Sequence, residues 1–204
     1  MTYLDTPEES PLYPVAEAAL GYVPNYTRVF ALQPAAYPAW QELVRTATAG
    51  MDKRRYELVT LAAARRLGSR YCGLAHAKVL RDQYYDDAAM LAITADHHQA
   101  GLSDVDVAIM DFAERVAADP TQVGAADIDE LRRHGLSDVD IFQVVLTVNL
   151  RRFFSGTLSA SGAEPDGIFD QLDPRLRSAL THRPAPDAGW ARPPGDRRDI
   201  DTII

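Results

Sequence analysis

The chain has 204 residues, 47% apolar and 25% charged, which bounds it to a globular protein of one sizeable domain or two small ones. Its 21 basic and 29 acidic residues give a net charge of −8, against a protein that follows nucleic-acid phosphates with a basic face. The single cysteine excludes an internal disulfide, and no apolar run reaches the roughly 18 residues of a membrane span.

The first residues lack the basic start and apolar core of a signal peptide, so a cytoplasmic chain with a reduced thiol and no membrane partner is expected. Apolar positions recur at spacings of three and four, and an all-α protein follows. Residues 6–11 carry two prolines and read as loop. A short helix is predicted over 15–20, stopped by Gly21. Asn25 is placed to cap a helix through Leu32, ended by Pro34. The next helix covers about 35–49, with Pro38 in its first turn, where a missing N–H costs little.

Asp52 is a good N-cap for 53–67, a stretch free of glycine and proline that Gly68 can close. Ser69 is placed to cap a second helix through about Tyr84. Asp86 opens another through Thr94, followed by a loop over 95–101. The string Gly-Leu-Ser-Asp-Val-Asp occurs at 101–106 and again at 135–140. It reads as a helix start used twice, not as duplicated domains: serine accepts a backbone N–H and the acids suit the helix dipole. Helices follow over 103–118 and 137–160, with a shorter one over 125–133 between them. A last helix is expected over 174–180. From His182 prolines, arginines and aspartates dominate, which reads either as a disordered tail or as an arm that Trp190, Ile203 and Ile204 anchor on a neighbouring subunit.

Cys72 is the residue with the most chemistry around it. His76 is four residues on, hence one turn away on the same helix face. A thiol in the first turn of a helix, beside an imidazole, has two influences that favour the thiolate. Glu57 shares a face of the preceding helix with Leu61 and Ala64, so its carboxylate needs a partner. That partner is either Arg54, one turn back, or the thiol/imidazole pair across a helical hairpin. In the second case the carboxylate and His76 can form the base that deprotonates the thiol. Taken singly, each residue also has an ordinary structural role: a core thiol, a helix histidine, an ion-pair glutamate.

The segment 52–80 resembles the core of the carboxymuconolactone decarboxylase/alkylhydroperoxidase D-like superfamily. Glu57, Ser69, Cys72 and His76 stand where that core has its glutamate, its Cys-x-x-Cys and its histidine. Gly21-Tyr22-Val23-Pro24-Asn25, Arg28-Val29-Phe30 and the segment 127–166 extend the likeness to the peroxidase-related branch. The resemblance implies an antiparallel helical bundle of the alkylhydroperoxidase D-like type over 1–166, with its core motif at 52–84. A C-terminal helix and tail or oligomer arm would occupy 167–204. It implies that Cys72 attacks peroxide and that His76 and Glu57 relay its proton. It also implies a homo-oligomer, as a dimer, trimer or hexamer.

Ser69 departs from that pattern. It can hydrogen-bond a thiolate but cannot resolve a sulfenic acid, so an external thiol reductant must close the cycle. Three functions stay open. One is a single-cysteine peroxidase acting on hydroperoxides. Another is a lactone or decarboxylase-type enzyme using Glu57 and His76. The third is an oligomeric binding protein without catalysis. No cofactor is expected, and no metal: His97 and His98 are adjacent, and neighbouring side chains rarely point at one ion. Arg151-Arg152-Phe153-Phe154 is a candidate for anion binding or for lining the site.

Overall fold

A computed structural model describes residues 2–181. The expected tail, with Trp190 and the terminal isoleucines, lies outside the described residues. Among those described there are ten α-helices and no strand. Helix α1 (Leu12–Leu20) starts earlier than expected and ends at Gly21, whose φ of 80° favours glycine. Helices α2 (Asn25–Phe30) and α3 (Ala36–Ala47) follow. Next come α4 (Lys53–Arg66), α5 (Arg70–Gln83) and α6 (Asp87–Ala95). The chain then forms α7 (Asp104–Ala118), α8 (Ala125–Arg133), α9 (Asp138–Ser161) and α10 (Pro174–Thr181).

Helix α4 is the centre of the bundle. Leu58 to Ala64 is buried on every side, packed against α5, α7 and α9. The consecutive alanines Ala62, Ala63 and Ala64 leave no bulk to hold those helices apart. The Leu67-Gly68-Ser69 turn folds α5 back onto α4 as a hairpin. The buried side chains of Leu80, Ile93, Met110, Val144 and Leu158 complete the core from the surrounding helices.

The repeated Gly-Leu-Ser-Asp string is a cap in both places. Ser103 Oγ accepts the Asp106 N–H at 3.3 Å, and Ser137 Oγ accepts the Asp140 N–H at 3.2 Å. The two aspartates then part company. Asp140 is half-buried, whereas Asp106 is buried and accepts from Arg54 through both its oxygens, at 3.0 and 2.9 Å.

Asn25 does not cap α2. It is the first helical residue, and its backbone N–H donates to Asp166 Oδ1 at 2.8 Å. Its side chain donates to the Glu164 carbonyl at 2.9 Å. A carboxylate far along the chain thus does the capping, which local pattern cannot foresee. A 3-10 stretch, Gly167–Gln171, leads into α10 and was not expected from the sequence. Leu176 and Leu180 bury α10 against α5 and α6. A Cβ built on Gly73 would meet the Leu180 side chain at 3.7 Å, so the room left by that glycine faces α10. No helix among the described residues is long and apolar enough to cross a membrane.

Candidate active site

Two helices present the site's first four residues. Asp52 caps α4 by accepting the Arg55 N–H at 2.9 Å, and this fixes the phase that sets Tyr56 and Glu57 one turn in. Helix α5 begins at Arg70, which makes Cys72 its third residue, in the first turn where backbone amides lack helical partners. Ser69 occupies the N-cap position with extended backbone, but its hydroxyl makes no capping bond. The side chain is turned inward instead. Ser69 is only 3% exposed, and its Oγ has no partner among the described residues.

Glu57 and His76 meet across the α4/α5 hairpin, with Oε2 2.6 Å from Nδ1. Of the two partners open to Glu57, the fold selects His76. Arg54 is engaged elsewhere, by Asp106 and by the Tyr85 hydroxyl at 2.7 Å. Burial pushes the His76 imidazole below the ordinary histidine range, the Arg151 charge pushes the same way, and Glu57 opposes both. The ring is therefore neutral near pH 7. A carboxylate can only accept, so the ring proton sits on Nδ1 and Nε2 presents a lone pair, the form of a general base.

Cys72 is 1% exposed. The group that reaches its sulfur is not His76 but Arg151 of α9, whose Nη1 lies 3.6 Å from Sγ. The second terminal nitrogen, Nη2, donates to the Tyr56 hydroxyl at 3.3 Å. The Tyr56 ring in turn stands edge-on to the His76 ring, centroids 6.1 Å apart at 76°. Tyr56 thus connects two couples, Glu57–His76 and Arg151–Cys72. Among the described residues no hydrogen bond joins His76 directly to the thiol. Burial raises the Tyr56 phenol, while Arg151 pulls the other way, so the phenol is neutral.

Arg151 is 4% exposed, and among the described residues its guanidinium bonds to Cys72 and Tyr56 and to no carboxylate. Its guanidinium lies over the rings of Trp40 and Phe154, 5.8 and 5.5 Å from their centroids. Burial disfavours its charge, yet the facing sulfur and phenol hold it protonated, above the ordinary arginine range. A buried cation without a counter-anion is costly. The polar atoms that the Arg151 terminal nitrogens face are the Cys72 sulfur and the Tyr56 hydroxyl.

The start of α5 is also fixed from outside. The Tyr71 hydroxyl donates to Asp166 Oδ2 in the interior. Burial, then the Asp166 carboxylate, pushes that phenol well above its ordinary range. One aspartate thus caps α2 and anchors the residue next to Cys72.

The Arg151–Phe154 segment was legible as an anion-binding candidate. The sharper signal was an arginine on the α9 face shared by Thr147, Phe154 and Leu158, which are all buried. Nothing in the local sequence marks Tyr56 or Trp40 for the site. The adjacent pair His97 and His98 converges after all: both Nε2 atoms approach Asp111 Oδ1, at 2.7 and 3.0 Å.

No family model matches the chain, and no curated protein matches it by sequence. Solved structures do match by shape. The crystal structure of an alkylhydroperoxidase AhpD core, an uncharacterized peroxidase-related protein from Ralstonia eutropha, superposes with a TM-score of 0.75 at 21% identity, covering 84% of this chain and 95% of that one. An uncharacterized peroxidase-related protein from a Silicibacter species gives 0.74 at 21% identity, over 84% and 95% of the two chains. The debrominase Bmp8, as a cysteine-to-alanine variant in complex with 2,3,4-tribromopyrrole, gives 0.67 at 17% identity, over 87% and 95%. The bundle drawn by α4, α5 and their neighbours is therefore the alkylhydroperoxidase D-like fold.

Proposed function

We propose that the chain is a thiol peroxidase of the alkylhydroperoxidase kind, with Cys72 as its only reacting sulfur and an external thiol as its reductant. The observation that carries this reading is the buried Arg151 guanidinium at 3.6 Å from Cys72 Sγ, with no carboxylate bonded to it among the described residues. Such a cation favours thiolate over thiol and gives a structural cysteine no benefit. The peroxidase-related names of the Ralstonia and Silicibacter structures support the same chemistry.

The cycle balances as follows. His76 Nε2, neutral and oriented by Glu57, takes the thiol proton, through water or a small movement of the ring. The thiolate attacks the distal oxygen of a hydroperoxide, the O–O bond breaks, and the departing alkoxide takes the proton back as an alcohol. Cys72 is left as sulfenic acid. Ser69 cannot form the next S–S bond. An external thiol condenses with the sulfenic acid, releasing water, and a second thiol reduces the mixed disulfide to restore Cys72. That reductant fits a reducing cytoplasm. In this reading the protein works as a homo-oligomer, a view supported by the exposed Val139 and Phe142 of α9 beside Leu43 of α3.

The test is hydroperoxide consumption with dithiothreitol, run on wild type and Cys72→Ser together, with a sulfenic-acid trap read by mass. Turnover and a trapped adduct in wild type alone support the reading. An unmodified Cys72 overturns it. Lactone turnover that survives Cys72→Ser and is lost in Glu57→Gln assigns the site to acid/base chemistry instead.

A further inference from the structure

The 3-10 turn His97–Gln99 and helix α7 bring three metal-binding side chains to one point. His97 Nε2 and His98 Nε2 both address Oδ1 of Asp111, and one donor atom from each residue lies within 4.8 Å of the other two. The two rings stack, centroids 4.5 Å apart and 29° between planes, which is how consecutive imidazoles come to aim the same way. The turn is held without using those donors. The Asp96 carboxylate accepts the His98 N–H at 3.0 Å, and the Asp96 carbonyl accepts the Gln99 N–H at 3.1 Å. His97 is buried, but the His98 side chain is 51% exposed. Packing therefore does not force His98 onto Asp111, since water would satisfy its ring as well.

We infer that His97, His98 and Asp111 form a site for a first-row divalent transition-metal ion, of which zinc is the type. Two imidazole nitrogens and one carboxylate oxygen suit such an ion, whereas calcium and magnesium are held by oxygens alone. A tetrahedral ion with bonds of about 2.0–2.1 Å needs its donor atoms roughly 3.3 Å apart. The present separations of 2.7 and 3.0 Å are those of hydrogen bonds, and small side-chain rotations open them to that spacing. The ion would replace the Nε2 protons that now bridge to Asp111, leaving each imidazole to bind through Nε2 with its proton on Nδ1, and the carboxylate would offset half of the ion's charge. His98 and Asp111 also line a groove between α7 and α8 whose wall carries Asp104 and two ion pairs, Arg115–Asp127 and Arg133–Glu130. The groove is open to solvent, so water can complete the coordination of an ion held by His98 and Asp111.

The test is calorimetric titration of the full chain, stripped by chelator, with Zn2+, followed by Co2+ absorbance spectroscopy. One saturable ion per chain is expected, with affinity falling about tenfold or more in both His98→Ala and Asp111→Asn and unchanged in Cys72→Ser. The Co2+ spectrum is expected to show ligand-field bands of nitrogen and oxygen donors, without the charge-transfer band of a thiolate. If one variant loses its helicity by circular dichroism, the other variant and the wild-type Co2+ spectrum decide. Absence of saturable binding, wild-type affinity in both folded variants, or loss of binding in Cys72→Ser overturns the site. None of these outcomes depends on whether Cys72 reduces peroxides.

Discussion

Arg151 sends one nitrogen to Cys72 and the other to Tyr56, and it does so from the interior with no carboxylate bonded to it among the described residues. A guanidinium in that setting stabilises negative charge on the sulfur at the expense of the fold. Arg151→Met separates the two effects. The apolar replacement is expected to leave stability unchanged to within about 1 kcal/mol, or to raise it, because a buried ion without a full partner gains little for the fold. Alkylation of Cys72 by iodoacetamide at neutral pH is expected to slow by about tenfold. Chemical denaturation and alkylation rate, measured side by side, check it.

The pH dependence follows from the charges around His76. Its folded proton affinity is lowered by burial and by Arg151, and raised by Glu57. The unfolded chain therefore takes up a proton that the native state refuses. The contribution of His76 to stability is full above about pH 6.5 and declines as pH falls below it. The base form likewise persists below about pH 6.5, so the acid limb of Cys72 alkylation is expected there. Glu57→Gln should move that limb further down, and Arg151→Met should move it up. A pH–rate series on the three proteins checks the two opposite signs.

Ser69→Cys restores the missing thiol. Residues three apart in the first turn of a helix sit at a separation that a disulfide can span. The substitution also removes an inward-facing hydroxyl that has no partner among the described residues. After peroxide treatment, the sulfenic-acid trap is expected to label Cys72 less, and an internal disulfide between Cys72 and the introduced thiol to appear by mass. Persistence of full labelling would show that the two positions do not meet in oxidised protein.

Arg54 is a stability residue for the same hairpin. Arg54→Met leaves Asp106 buried with the Ser103 hydroxyl, 2.6 Å away, as its one side-chain partner among the described residues. A loss of about 2–3 kcal/mol is expected, below the full value for a buried pair because Arg54 is partly exposed. Urea denaturation measures it, and the Glu57–His76 couple, made elsewhere, should keep its pH behaviour.

The sequence alone determined what depends on near neighbours. Helix spans followed from periods of three and four, and the Asp52, Ser103 and Ser137 caps from residue type just before those runs. The placement of Glu57, Cys72 and His76 on two adjoining helices was equally local, because four residues on a helix are one turn. Only the tertiary structure decided which groups meet across helices. Arg151 reaches Cys72 over 79 residues of sequence, Asp166 caps α2 over 141, and Asp111 draws together two histidines that adjacency argued against. These contacts depend on how helices dock and rotate against one another. Docking minimises void and unpaired charge over the whole core, and no local period encodes that sum.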